Sequence, residues 1–165
     1  MTDSSARIEL ADASHLEALT DLVQRIEAED HPDNPHVAEN APAGVRASRA
    51  HFDWLDSDCI WILIAYAEDQ AVGMALYMRI PKLDARLGFL YLDELHVLES
   101  HRRHGIGKAL LFRGFELART LGLAGVRLLT RPGNLPARAL YESVGFHGDE
   151  TMLYLFPFDH SQHQT

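Results

Sequence analysis

Cysteine is almost missing from this sequence: Cys59 is the only one in 165 residues. That excludes an intramolecular disulfide and a zinc cage built on several thiolates. Long apolar runs are missing as well. The longest, Cys59 to Ala67, falls far short of the ~20 residues that span a bilayer. No basic stretch leads into an apolar run at the N-terminus, so the reading is no signal peptide and a cytoplasmic location. Positive charge is not in excess either. Net charge is −9, which disfavours nucleic acid as a partner, because phosphate neutralisation needs clustered Lys and Arg. No repeat, low-complexity linker or composition break divides the chain. With 47% apolar and 24% charged residues it reads as one ordinary globular domain over residues 1–157, with a frayed tail at 158–165.

What is present is unevenly placed. Residues 1–58 carry thirteen acids against four bases, while residues 59–165 carry eleven of each. The whole deficit therefore sits in the first third, either as a solvated surface or as an acidic rim for a cationic substrate. Arg7–Leu10 reads as a strand. Asp12 and Ser14 are cap candidates, Glu17 standing at capping-box spacing from Ser14, and Leu16, Leu19, Leu22, Val23 and Ile26 continue as a helix to about Glu29. The proline-rich stretch His31–Pro42 reads as a loop or broken helix, and Val45–Leu55 as a weaker helix. Ile60–Ala67 and Ala71–Ile80 flank a polar turn, as in an antiparallel hairpin. Gly88–Leu98 reads as a strand, Ile106–Leu121 as a helix stopped by Gly122, Gly125–Thr130 as a strand, Pro136–Val144 as a helix and Thr151–Phe156 as a last strand. This is a mixed α/β chain. Cys59, Trp54 and Trp61 read mainly as core.

The most informative segment is Leu90–Leu111, LYLDELHVLESHRRHGIGKALL. A buried strand enters a turn with two glycines, and the turn opens a helix. Residues 101–108 hold Arg102, Arg103 and Lys108, two histidines and no acid. Free N–H groups at a helix start, close backbone approach at glycine and local positive charge together make an anion site. A P-loop is excluded because Ala109 stands where its hydroxyl should be, and a dinucleotide fingerprint because the third glycine is missing. His101 and His104 have no acid or thiol to complete a metal site, so no metal is expected.

The run from Arg102 to Gly107 fits Arg/Gln-x-x-Gly-x-Gly/Ala after a strand, and residues 134–146, NLPARALYESVGF, fit Asn-x-x-Ala-x-x-Leu-Tyr-x-x-x-Gly-Phe. In this order and separation the two blocks resemble the GNAT superfamily of acyl-CoA-dependent N-acetyltransferases. The resemblance implies an α+β fold, a mostly antiparallel sheet splayed in the middle and flanked by helices. It also implies acetyl-CoA as co-substrate. Its pyrophosphate would lie on Arg102, Arg103, His104, Gly105, Ile106, Gly107 and Lys108, and its pantetheine arm along the backbone of Leu95 and Val97 and beside Asn134. Tyr141 would sit near the sulfur and return a proton to the leaving thiolate. A phenol, with a pKa near 10, is still protonated where a thiol near 8.5 is not fully so. Core packing is the other reading of Tyr141.

An acceptor amine must lose a proton before it attacks, and relatives often use a carboxylate on the strand before the turn. Asp93 and Glu94 both stand in that apolar strand, and alternation puts them on opposite faces. The resemblance to polyamine-type relatives favours Asp93; Glu94 reaches further. The acceptor reads as a small cationic amine drawn by Glu29, Asp30 and Asp33. A protein or peptide N-terminus is one alternative, and a non-catalytic coenzyme A-binding sensor another. The sequence leaves oligomeric state open, a homodimer included.

Overall fold

A computed structural model describes residues 6–83 and 87–157; the tail expected to fray lies outside them. Five strands form one sheet in the order of the chain: β1 (Arg7–Leu10), β2 (Ile60–Ala67), β3 (Gln70–Ile80), β4 (Phe89–Val97) and β5 (Val126–Leu128). The first four run antiparallel, and β5 joins β4 in parallel. Helices α1 (Leu16–Asp30) and α2 (Pro35–His51) lie between β1 and β2, α3 (Ile106–Thr120) between β4 and β5, and α4 (Leu135–Ser143) after β5. The fold is mixed α/β with a mostly antiparallel sheet. Among the described residues no helix is long and apolar enough to cross a membrane.

Register assigns the two faces. Ile62 pairs with Leu76, and Leu76 with Glu94; the neighbouring row runs Leu63, Ala75, Leu95. Directly paired side chains share a face, so these rows face opposite ways. The second face meets α3: the Tyr77 hydroxyl donates to the Leu110 carbonyl at 3.2 Å. Gly114 makes that packing possible, since a Cβ there would lie 2.2 Å from the Tyr77 oxygen. In an exposed helix Gly→Ala is favourable by up to about 1 kcal/mol. Here Gly114→Ala should instead destabilise by about 1–3 kcal/mol through overpacking, lowering Tm at about 2–4 °C per kcal/mol. A calorimetric Tm at or above wild type would refute the close fit.

One irregularity in β4 organises the rest. Leu76 pairs with Glu94, but Tyr77 pairs with Leu92, which leaves Asp93 opposite no residue of β3. This bulge puts Leu92 and Leu95 on the same face, with Glu94 on the other. The parallel ladder to β5 holds Leu90, Tyr91 and Leu92, and ends at Leu92↔Leu128. The sheet therefore splays at the bulge.

Three expectations need correction. The stretch His31–Pro42 is largely helical: α2 starts at Pro35, where a missing N–H costs nothing, and keeps Pro42 in its interior. That helix ends at His51, not Leu55. Thr151–Phe156 forms no strand. Its apolar composition gives strand propensity, but propensity needs a paired neighbour. Smaller differences are local: of the two cap candidates it is Asp12 that caps the turn before α1, with His15 reaching back to the Asp12 N–H. Cys59 is exposed.

Candidate active site

The basic turn is shaped by its backbone. After β4, a 3-10 turn (Glu99–His101) leads to Arg102 in extended conformation. Arg103 (φ 64°) and Gly105 (φ 80°) then take left-handed conformations. That costs about 1–2 kcal/mol for a residue with a side chain, and nothing comparable for glycine. A Cβ at Gly105 would meet nothing within 4 Å, so there is open room beside the helix start. No side chain caps α3, and its first N–H groups keep their positive potential. The Ile106 side chain is buried in the core, so only its backbone is available to a ligand. Gly107 serves packing as well. A Cβ there would press on Leu140 at 3.0 Å, so this glycine lets α4 approach α3. Arg103, His104 and Lys108 are exposed.

Arg102 is also exposed, but its guanidinium is tied to the protein. Its Nε donates to the Val97 carbonyl at 2.9 Å, and a guanidinium nitrogen lies 3.7 Å from the Glu29 carboxylate. Glu29 also accepts from the Glu99 N–H at 3.0 and 3.1 Å. It thus ties the end of α1 to the basic turn, and does not line the cavity described below. Asp30 and Asp33 are exposed at and beyond the end of that helix and do not line the cavity either.

The edge of β4 beyond the bulge faces the splay. The Leu98 N–H donates to the Val72 carbonyl, so alternation turns the peptide groups of Leu95 and Val97 toward the β5 side. No β5 residue pairs with them. Asn134 is the N-cap of α4, its amide oxygen accepting from the Ala137 N–H at 3.4 Å. Tyr141, on the same helix, is half-buried and meets the Phe146 ring edge-on at 5.8 Å. Burial pushes its phenol above the ordinary value of 10. Burial raises Tyr77 as well, with a further contribution from Tyr141. Tyr77 pairs with Leu92 where the sheet opens.

On the opposite face lies a cavity of about 680 Å³. Leu19, Val23 and Glu27 of α1 line it at helical spacing, and Val37, Ala41, Gly44 and Val45 of α2 face them. Ile62, Met74, Leu76 and Glu94 form its floor, and Phe52 and Trp54 one side. Glu94 enters this cavity; Asp93 is not among its lining residues. His96 Nε2 stands 3.7 Å from the Glu94 carboxylate. Asp93 stands instead near Tyr91, whose phenol is raised by burial and then by the Asp93 charge. Of the acids in the first third, Glu27 is one that lines the cavity, continuing the Leu19–Val23 stripe by one more turn. Among the described residues no cluster of His, Cys, Asp and Glu could hold a metal.

The fold has known counterparts. Human N-acetyltransferase 8 is 39% identical over 88 residues, covering 53% of this chain and 38% of that protein. The chain spans less than half the length of the curated relatives it matches. Among solved structures, an integron cassette protein from the mobile metagenome of V. cholerae superposes with TM-score 0.78 at 21% identity, over 94% of each chain. AAC(6')-Iy in complex with the bisubstrate analogue CoA-S-monomethyl-acetylneamine superposes with TM-score 0.72 at 21% identity, over 94% of this chain and 99% of that one. Residues 18–146, from α1 to the aromatic contact behind Tyr141, match the acetyltransferase (GNAT) family as a whole. The chain belongs to that family.

Proposed function

We propose that this protein is a cytoplasmic acetyltransferase that moves an acetyl group from acetyl-CoA to a primary amine by direct transfer in a ternary complex. The carrying observation is the bulge at Asp93. At one point of β4 the ladder to β5 ends, the Leu95 peptide and the Val97 N–H are left unpaired by β5 at that edge, the Val97 carbonyl being held by Arg102, and Glu94 turns into the cavity. A coenzyme arm laid along that edge from one face would meet an amine held on the other.

Bound acetyl-CoA would supply the activated acetyl thioester. The turn fits its anionic end: Gly105 leaves open room, α3 offers uncapped N–H groups, and Arg103 and Lys108 add charge. Arg102 serves differently, by holding Val97 and Glu29. On the acceptor side, Glu94 takes a proton from the ammonium. With that proton passed on to solvent, the freed nitrogen would form the C–N bond as the C–S bond breaks and give its second proton to Glu94, and the Leu95 N–H is available to polarise the carbonyl. Tyr141 gives its proton to the departing thiolate and regains one from solvent.

The test is coenzyme release, read as free thiol. It should require both acetyl-CoA and a primary amine; release that no amine in a broad panel accelerates would leave a coenzyme-binding module. A second expectation concerns the turn. Gly105→Asp brings a side chain into a left-handed position and a negative charge to the pyrophosphate site. Acetyl-CoA affinity, measured by calorimetry on folded protein, should fall at least tenfold. Unchanged affinity would move the coenzyme elsewhere.

A further inference from the structure

We infer that the acceptor is a monoamine with a sizeable apolar body, an alkyl- or aralkylamine, and that polycations are poor substrates. The inference rests on the acetyltransferase reading of this cleft and names the substrate class that reading leaves open.

The walls decide it. The cavity, about 680 Å³, lies within the range of small-molecule sites. Helix α2 buries none of its residues in the core; its apolar stripe faces the cavity instead. Phe52, on the same wall, is 65% exposed, an aromatic face open to a ligand. Polar groups are few and mostly engaged. The Asn40 amide donates to the His36 carbonyl at 2.8 Å, and the Ser48 hydroxyl accepts from the Trp54 indole at 3.3 Å. What remains is the Asn40 amide oxygen and two carboxylates: Glu27, approached by His31 Nε2 at 3.4 Å, and Glu94, approached by His96 Nε2 at 3.7 Å. Glu94 is required for the reacting nitrogen itself. A ligand with three or more ammonium groups would therefore leave at least one without a counter-charge against apolar walls, which is strongly unfavourable. The acidic excess of the first third does not alter this. Asp30 and Asp33 lie outside the cavity, and Glu29 is bound to the basic turn.

The experiment is a panel at saturating acetyl-CoA: n-alkylamines from ethyl to hexyl, phenethylamine, spermidine and kanamycin. Each added methylene should raise kcat/KM roughly fourfold until the cavity is filled. Phenethylamine should exceed spermidine by at least tenfold. A flat alkyl series, or spermidine or kanamycin ahead, overturns the inference while leaving the acetyltransferase reading intact. Calorimetric binding of the same amines to the protein with coenzyme A present is the second arm. If no amine is turned over, the acetyltransferase reading fails, and the binding order alone still decides the ligand class; failure of phenethylamine to bind overturns it. Gly44→Leu gives a local check, because a Cβ at Gly44 meets nothing within 4 Å and the branched side chain would occupy the cavity. The ratio of phenethylamine to ethylamine kcat/KM should fall about tenfold or more. An unchanged ratio would place the apolar body elsewhere.

Discussion

Replacing Tyr141 by Phe should lower kcat by about 10²–10⁴, the usual worth of a positioned general acid, with little change in acetyl-CoA affinity. The substitution removes one hydroxyl and keeps the ring, so the edge-on contact with Phe146 survives. Burial raises the Tyr141 phenol above 10, which keeps the proton in place at neutral pH. The sign matters: a raised value means that the acid form persists further into the alkaline range, so any alkaline fall in kcat due to Tyr141 lies above pH 10. A thioester whose leaving thiol is more acidic needs that proton less. It should therefore recover much of the loss in the variant while changing wild type little. A core residue would show neither the leaving-group dependence nor the selective fall in kcat. Wild-type turnover in Tyr141→Phe across the pH range would assign it to packing alone.

Much of this site was legible because its signals are local. The order strand, basic turn, paired glycines and helix lies within the single stretch Leu90–Leu111, and backbone geometry at Gly105 follows from that stretch itself. The second block, from Asn134 to Phe146, is likewise a cap, one helix and one ring contact. Gly122, left-handed at φ 66°, ends α3 as its position suggests. What could not be read depends on distant partners. Alternation along β4 separates Asp93 from Glu94 but cannot show that one residue is inserted. The register that creates the bulge is set by Leu76 and Tyr77 on another strand. Glu29 looked like free acidic surface, because its partner N–H lies seventy residues away. Helix α2 was hidden by its prolines, since position in the helix, not number, decides what a proline costs.

That bulge makes the choice between the two carboxylates an experimental one with a large expected difference. Glu94→Gln should lower kcat/KM by about 10²–10⁴ and keep acetyl-CoA affinity. Asp93→Asn should retain most activity, because Asp93 sits beside Tyr91 and outside the cavity lining. In Glu94→Gln the amide preserves the size of the side chain and its place opposite Leu76, so the loss would report the proton-accepting oxygen and not the packing. His96, 3.7 Å from the Glu94 carboxylate, is the group most able to substitute for it, so the double variant with His96→Gln measures any residual activity it carries. An acceptor amine already neutral at the assay pH separates the roles further. It has no proton to surrender before attack, so it should narrow the gap between wild type and Glu94→Gln to roughly the tenfold that positioning alone supplies. If Glu94→Gln stays within about threefold of wild type while Asp93→Asn falls roughly a hundredfold, the base is Asp93, and the side chain in the cavity serves only to hold the ammonium.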